Sequence, residues 1–265
     1  AKIEQRCFST LFFLLSTSLL LLFLVSHQAK AQESQNVIQN SSSQTVTLAA
    51  EDSWPPFANQ FGQGISHRLI EAAFKQAHIE VNSLVVPYSR ALMMAEKGAV
   101  DGVFNVTREA STEQRFVFGQ MPLFVATASF YQRKQRSLLA ENKWQIPKGS
   151  NVGVIKSYEY GDEFPELVKQ RQLNIVTVAT QQQLINLLLI GRIDAAVMFD
   201  LVAQENLQKM GVSDEVIAAF DNHSSQIYLA FSKENPKAAL LAKALDQGLS
   251  MLKENGQYQQ LLSAN

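Results

Sequence analysis

The chain has 265 residues, 46% hydrophobic and 18% charged, with a formal net charge of −1. That length allows one large domain or two modest ones, and the apolar share excludes a wholly disordered chain. The near-neutral charge gives no electrostatic footprint for nucleic acid, and the single cysteine, Cys7, excludes a disulfide scaffold or a cysteine zinc site.

The first residues differ in character from the rest. Residues 8–25 form an uncharged run rich in Leu and Phe, preceded by Lys2 and Arg6 and followed by Ala29-Lys30-Ala31. Basic flank, apolar run and A-x-A site together predict a secretory signal peptide, residues 1–31, cut after Ala31. An uncleaved membrane anchor is the alternative for so long a run. Cleavage leaves a chain without cysteine, which fits a bacterial periplasm and a fold held by its core alone. Residues 32–45 are polar and rich in Ser and Gln, and predict a disordered leader.

From Val46 onward strands and helices alternate. Val46–Ala50 reads as a short strand, and Ser66 as the cap of a helix running through His78, with Leu69, Ala72, Ala73 and Phe74 near one face. Val81–Val86 predicts a strand stopped by Pro87. Ser89 is placed to cap a short helix ending before Gly98. Val100–Val106 and Phe124–Gln132 predict two more strands. A second set follows: strands at Asn151–Ile155, Asn174–Val178 and Ile193–Phe199, and a helix over Asp162–Gln172. Thr180 and Gln183 suggest a capping box for a helix stopping at Gly191. Asp200 stands where it can cap a further helix up to Gly211. Gln226–Phe231 predicts a last strand, and Pro236 opens a helix to about Asn255. This alternation predicts an α/β chain with mostly parallel sheets, in two lobes whose boundary falls near Gln132–Leu139.

Motifs of common enzyme chemistry are missing. The sequence contains no GxxxxGK[ST], HExxH or GxSxG, and His67, His78 and His223 have no metal-ligand spacing. These histidines read as surface or hydrogen-bonded side chains, the run Leu184–Leu189 reads as a buried helix face, and no metal or cofactor is expected.

Several runs in order carry a family resemblance. They are Glu51-Asp52-Ser53-Trp54-Pro55-Pro56-Phe57, Gly64-Ile65-Ser66, Pro87-Tyr88-Ser89-Arg90, Gly98-Ala99-Val100-Asp101-Gly102 and Phe116 through Leu123. Further on stand Val152-Gly153-Val154 with Tyr158-Glu159-Tyr160-Gly161, then Gly191-Arg192-Ile193-Asp194-Ala195 through Asp200, and Gly256-Gln257-Tyr258. In this order, from about Val46 to Leu262, they resemble the periplasmic solute-binding proteins of family 3, polar amino acid binders that serve ABC uptake systems. The resemblance implies an α/β, two-lobed periplasmic binding protein-like fold (type II), with two hinge strands and a ligand cleft between the lobes. Lobe 1 would comprise 46–132 and 222–265, and lobe 2 would comprise 133–221. It further implies a non-enzymatic protein that captures a small polar, amino-acid-like molecule and passes it to an ABC permease or a membrane sensor. The alternative is a dehydratase-like periplasmic enzyme on the same fold, with Glu51, Asp52, His67 or Glu159 as general acid or base.

A dipolar ligand taken out of water needs both charges matched, an arginine fork for the carboxylate and an acid for the ammonium. Asp200 matches the family acid that takes the ammonium; as a plain helix cap it would contribute about 1 kcal/mol instead. The family's arginine position falls here on Thr112, so Arg108 and Arg115 are the candidates to swing in. Trp54 matches the aromatic that lines the cleft, and Glu51 falls on the side-chain-reading position. An aromatic beside Glu51 and Asp52 suits a cationic or amide-bearing ligand. Asn105 and Thr107 end a strand and can offer polar groups, and Tyr88 can line the cleft or staple a helix start. Ser157 and Tyr158, with Glu159, occupy the second-lobe turn, where backbone N–H groups can hold an anion.

Overall fold

The computed structural model of the protein describes residues 44–263. The expected signal peptide and most of the expected leader lie outside the described residues. Gln44 and Thr45, assigned to that leader, already belong to the first strand.

The strand β1 (Gln44–Glu51) is followed by a small hairpin, β2 (Ser53–Trp54) and β3 (Ala58–Asn59), which encloses a cis Pro55-Pro56 bond. Next come α1 (Ile65–Lys75), β4 (Ile79–Val86), α2 (Tyr88–Glu96), β5 (Gly102–Thr107), α3 (Ala110–Glu113), β6 (Phe116–Phe118) and β7 (Phe124–Arg133). The second set is β8 (Asn151–Ile155), α4 (Phe164–Arg171), β9 (Asn174–Val178), α5 (Gln181–Leu189), β10 (Ala195–Phe199) and α6 (Asp200–Met210). The strand β11 (Val216–Ser232) and the helices α7 (Ala238–Glu254) and α8 (Gln257–Ser263) complete the described chain.

The two sets do not build separate parallel sheets. One sheet runs β4-β1-β5-β11-β7-β10-β8-β9, with β6 on β11. Parallel pairing holds at β1/β5, β8/β9 and β8/β10, while β5/β11, β11/β7 and β7/β10 are antiparallel. The mixture arises because β7 and β11 traverse the sheet's centre, paired from Val216 with Arg133 to Ile227 with Phe124. One end of β11 joins β5 and the far part of β7 joins β10, so these two strands connect a lobe built on β4-β1-β5 to one built on β10-β8-β9.

Helix positions follow from apolar spacing. On α1, Leu69, Ile70, Ala73 and Phe74 are buried, and the same is true of Leu241, Leu245 and Leu249 on α7. Full burial of such side chains contributes about 1.5–3 kcal/mol each. Gly248 on α7 has the Ala73 carbonyl of α1 against it, so these two helices meet backbone to backbone. On α5 the Thr180 Oγ1 accepts the Gln183 N–H at 3.2 Å, and the Gln183 side chain accepts the Ala179 N–H at 3.1 Å.

Three expected caps are not caps. Ser66 lies inside α1, which starts after Gly64, and its hydroxyl donates to Asn105 Oδ1 at 2.5 Å. Ser89 lies inside α2, which Pro87 precedes. Asp200 is the first residue of α6, behind Phe199, and makes no side-chain cap bond. In each case the serine or aspartate sits one or two residues past the turn, and the Ser66 and Asp200 side chains bond another element, Asn105 and Tyr131, rather than a free N–H.

Asp101 ties the first lobe together. Its carboxylate accepts the Thr47 N–H at 2.7 Å and the Asn235 side-chain amide at 2.9 Å, while its backbone bonds Thr47 and Ser232. Asp101→Ala is expected to lower unfolding stability by about 2 kcal/mol, since it orphans two donors. Urea denaturation checks this, and an unchanged midpoint counts against it.

Candidate functional site

Glu51 ends β1 and is 2% exposed. Trp54 follows in β2, also 2% exposed, packed against Phe57 at 4.7 Å and edge-on to Phe199 at 5.1 Å between ring centroids. Tyr88 starts α2 and is buried. Asn105 sits within the fully buried β5 with φ of 66°, a left-handed conformation that Asn tolerates better than most residues. Thr107 ends that strand. From the other lobe comes the turn after β8, with Ser157 at φ 67°. The Tyr160 hydroxyl accepts the Ile155 N–H at 2.8 Å and fixes this turn to its strand.

The turn closes onto the first lobe through reciprocal contacts. The Tyr158 hydroxyl donates to Glu51 Oε1, and the Tyr88 hydroxyl donates to Glu159 Oε2 at 2.8 Å. Each lobe thus gives one phenol and one carboxyl. The rings of Tyr88 and Tyr158 meet edge to face at 5.2 Å. Beside them the Gly161 N–H donates to Glu109 at 2.7 Å, and the Ala110 N–H to Asp162 at 3.1 Å.

Burial pushes the Glu51 carboxyl up to about 8; the Tyr158 hydrogen bond opposes this, and the charges of Asp52 and Glu159 add to it. Glu159 is likewise pushed up to about 8, chiefly by burial, against the Tyr88 bond, with Glu109 raising it and Arg115 lowering it. Burial also raises both tyrosines above their ordinary range. Burial thus favours the neutral form of both carboxyls in this low-dielectric contact.

Between these side chains remains a cavity of about 10 Å³, room for roughly one water molecule. Glu51, Trp54, Tyr88, Asn105, Thr107 and Tyr158 line it, and Glu159 and Phe199 complete its wall. Two buried donors there have no hydrogen-bond partner, Trp54 Nε1 and Asn105 Nδ2. A larger cavity of about 480 Å³ adjoins it between α2, α3 and the turn after β8. Tyr158 and Glu159 line both, and Arg115, Ser157, Glu96 and Glu109 line the larger one.

The expected grip of Asp200 and a guanidinium is not formed. Asp200 lines a separate cavity of about 260 Å³ with Thr127 and Leu201, and its carboxylate accepts the Tyr131 hydroxyl at 2.9 Å. Arg108 is held by Glu113 at 2.6 Å and the Gly119 carbonyl at 3.3 Å, over the rings of Phe118 and Tyr228. Arg115 is bound by both oxygens of Glu96, at 2.7 and 3.0 Å. Nearer acids have taken both arginines. Thr112 is buried and donates to the Thr107 carbonyl at 2.7 Å. His67, expected to be at the surface or hydrogen-bonded, is buried edge-on to Phe104 with neither ring nitrogen paired, and burial lowers it to about 4. Glu109 and Phe199 were not singled out by sequence reasoning. Phe199 carried one signal, its place at a strand end before Asp200.

The model of the bacterial extracellular solute-binding proteins, family 3, matches residues 46–264. The chain belongs to this family. No curated protein matches the chain. Among solved structures, a histidine kinase sensor domain with similarity to periplasmic binding proteins has a TM-score of 0.71 at 18% identity, covering 82% of this chain and 93% of that one. A mutant of ArgBP from T. maritima has a TM-score of 0.70 at 18% identity, covering 85% and 96%. An ancestral amino acid-binding protein, a precursor of cyclohexadienyl dehydratase, has a TM-score of 0.67 at 19% identity, covering 82% and 93%. At such identities the likeness is one of fold, the type II periplasmic binding fold. The family is one of solute-binding proteins, and solute capture is its common activity.

Proposed function

We propose that the protein captures a small polar ligand, an amino acid or a related compound, in the cleft between its lobes, and serves ABC-type uptake or sensing from the periplasm. The lobes divide as 46–132 with 222–265, and 133–221. The observation that carries this reading is the meeting of polar side chains from both lobes around unpartnered donors. Glu51, Tyr88, Asn105 and Thr107 stand on one side and Tyr158 and Glu159 on the other, with Trp54 Nε1 and Asn105 Nδ2 unsatisfied. A buried donor without a partner costs about 1–3 kcal/mol, which a ligand acceptor recovers. Arg115 and Ser157 line the larger adjoining cavity. Arg108 and Asp200 are engaged elsewhere and are left out of the binding set.

Isothermal titration against amino acids, their amides and small carboxylates is expected to give saturable one-to-one binding. A ligand at one hundred times its dissociation constant stabilises the protein by about 2.7 kcal/mol, readable as a raised melting temperature. Absence of saturable binding across the panel overturns the reading. Turnover of a bound ligand, lost in Glu159→Gln, replaces it with the enzymatic one.

A further inference from the structure

The walls of the two adjoining cavities carry Glu51, Glu96, Glu109 and Glu159 against one base, Arg115. That base is bound by both oxygens of Glu96. Glu109 accepts the Gly161 N–H and serves the start of α3. Glu51 and Glu159 then have tyrosine phenols, and no base, as hydrogen-bond partners. Two carboxyls brought together away from water favour either a proton or an outside cation, because an unmatched buried charge costs several kcal/mol. The donors Trp54 Nε1 and Asn105 Nδ2, both on buried residues and both unpartnered, line the same small cavity and call for an acceptor atom.

We propose that the cleft selects small organic cations, ammonium or guanidinium compounds of net positive charge, and does not require a carboxylate on them. The inference rests on the ligand-capture reading and narrows it. The cation takes over the hydrogen bonds that the Tyr158 and Tyr88 hydroxyls make to Glu51 and Glu159, and an acceptor atom of the ligand meets Trp54 and Asn105. With Arg115 already bound to Glu96, no other guanidinium among the residues lining the two cavities is left to fork a ligand carboxylate. Neutral donors can take such a group, but they do not demand it. The smaller cavity, about 10 Å³, is too small for any solute until the turn after β8 withdraws, so binding there exchanges an internal phenol for an external cation.

The test is isothermal titration of the purified protein at pH 7 with agmatine, putrescine, L-arginine, L-glutamine and L-glutamate. Agmatine is expected to bind within roughly tenfold of L-arginine, and L-glutamine and L-glutamate roughly 100-fold or more weaker than agmatine. In the double variant Glu51→Gln, Glu159→Gln, agmatine affinity is expected to fall roughly 100-fold. Glutamine keeps an acceptor for each tyrosine hydroxyl, so a melting curve shows whether the variant still folds. Agmatine binding 100-fold weaker than L-arginine, or an unchanged affinity in the folded double variant, overturns the inference. L-glutamine or L-glutamate binding as well as agmatine overturns it too and leaves the capture reading standing. No binding of any of the five, nor of the wider panel, overturns both.

Discussion

Replacing Tyr158 by Phe is expected to open the cleft of the ligand-free protein. The hydroxyl of Tyr158 is the hydrogen-bond partner of the buried Glu51 carboxyl across the lobes. Its loss leaves that group unsatisfied in the closed form and hydrated in the open one, a difference of about 1–3 kcal/mol. The ratio of closed to open molecules should fall roughly 5- to 150-fold. Small-angle scattering reads this as a larger radius of gyration. A Tyr158→Phe protein as compact as the parent would sink the expectation.

The same contact makes closure depend on pH, with a definite sign. Glu51 and Glu159 each stand near 8 when closed, against an ordinary 4.5. The groups facing them are Asp52, Glu109, Arg115, Tyr88 and Tyr158, and the carboxylates among these also favour the protonated form. Between 4.5 and 8 the closed form holds protons that the open form has released. Closure is therefore fully favoured below about 4.5 and is progressively lost as pH rises to 8, by at most about 1.36 kcal/mol per pH unit for each group. The radius of gyration is expected to grow from pH 4.5 to 8.5 in the parent and to stay flat in the Glu51→Gln, Glu159→Gln double variant. A parent that is equally compact across that range contradicts the mechanism.

The second large effect concerns packing. Gly248→Ala places a Cβ 2.1 Å from the Ala73 carbonyl oxygen and 2.6 Å from its carbon. The obstacle is backbone, which no side-chain rotation relieves, so α7 must move off α1. In an open helix the same change would stabilise by about 1 kcal/mol. Here a net loss of about 3 kcal/mol is expected, and with it a melting temperature lower by roughly 6–12 °C. The neighbouring exposed Gln247→Ala is expected to leave the melting temperature within about 2 °C. Equal melting of Gly248→Ala and the parent would mean that the helices do not meet as described.

Much of the alternation was legible because local chemistry agreed with the fold. Asn151–Ile155 and Asn174–Val178 were read with their observed bounds: both are β-type runs between turn residues. Gly191 and Gly211 end their helices with φ of 74° and 71°, as left-handed caps should. The first ten residues of β11 were missed. Asp221-Asn222-His223-Ser224-Ser225 reads as a turn, and only pairing with Ala126–Ser129 of β7 draws it into a strand. The single mixed sheet was hidden with it, while the chain's crossing between lobes was expected only through the family resemblance.

The site divides along the same line. Glu51, Trp54, Tyr88 and Tyr158 stand in the family motifs, Asn105 and Thr107 at a strand end, and all six meet around one cavity. Their mutual contacts were not legible: Tyr158 and Glu51 are 107 residues apart, and no periodicity reports such a distance. The arginines misled for a related reason. Glu113 and Glu96 compete for them, one five residues from Arg108 and the other brought to Arg115 by the packing of α2.

The phenol of Tyr158 has one more effect. A receptacle that can shut on itself shares its filled outline with its empty one, so a docking partner that judged by silhouette would answer to vacant molecules. Each arriving solute must also evict an occupant that is tethered and therefore never dilutes away. Apparent affinity falls in proportion to the fraction of molecules so blocked. One hydroxyl group thereby sets how much solute must accumulate outside before half the cradles are full.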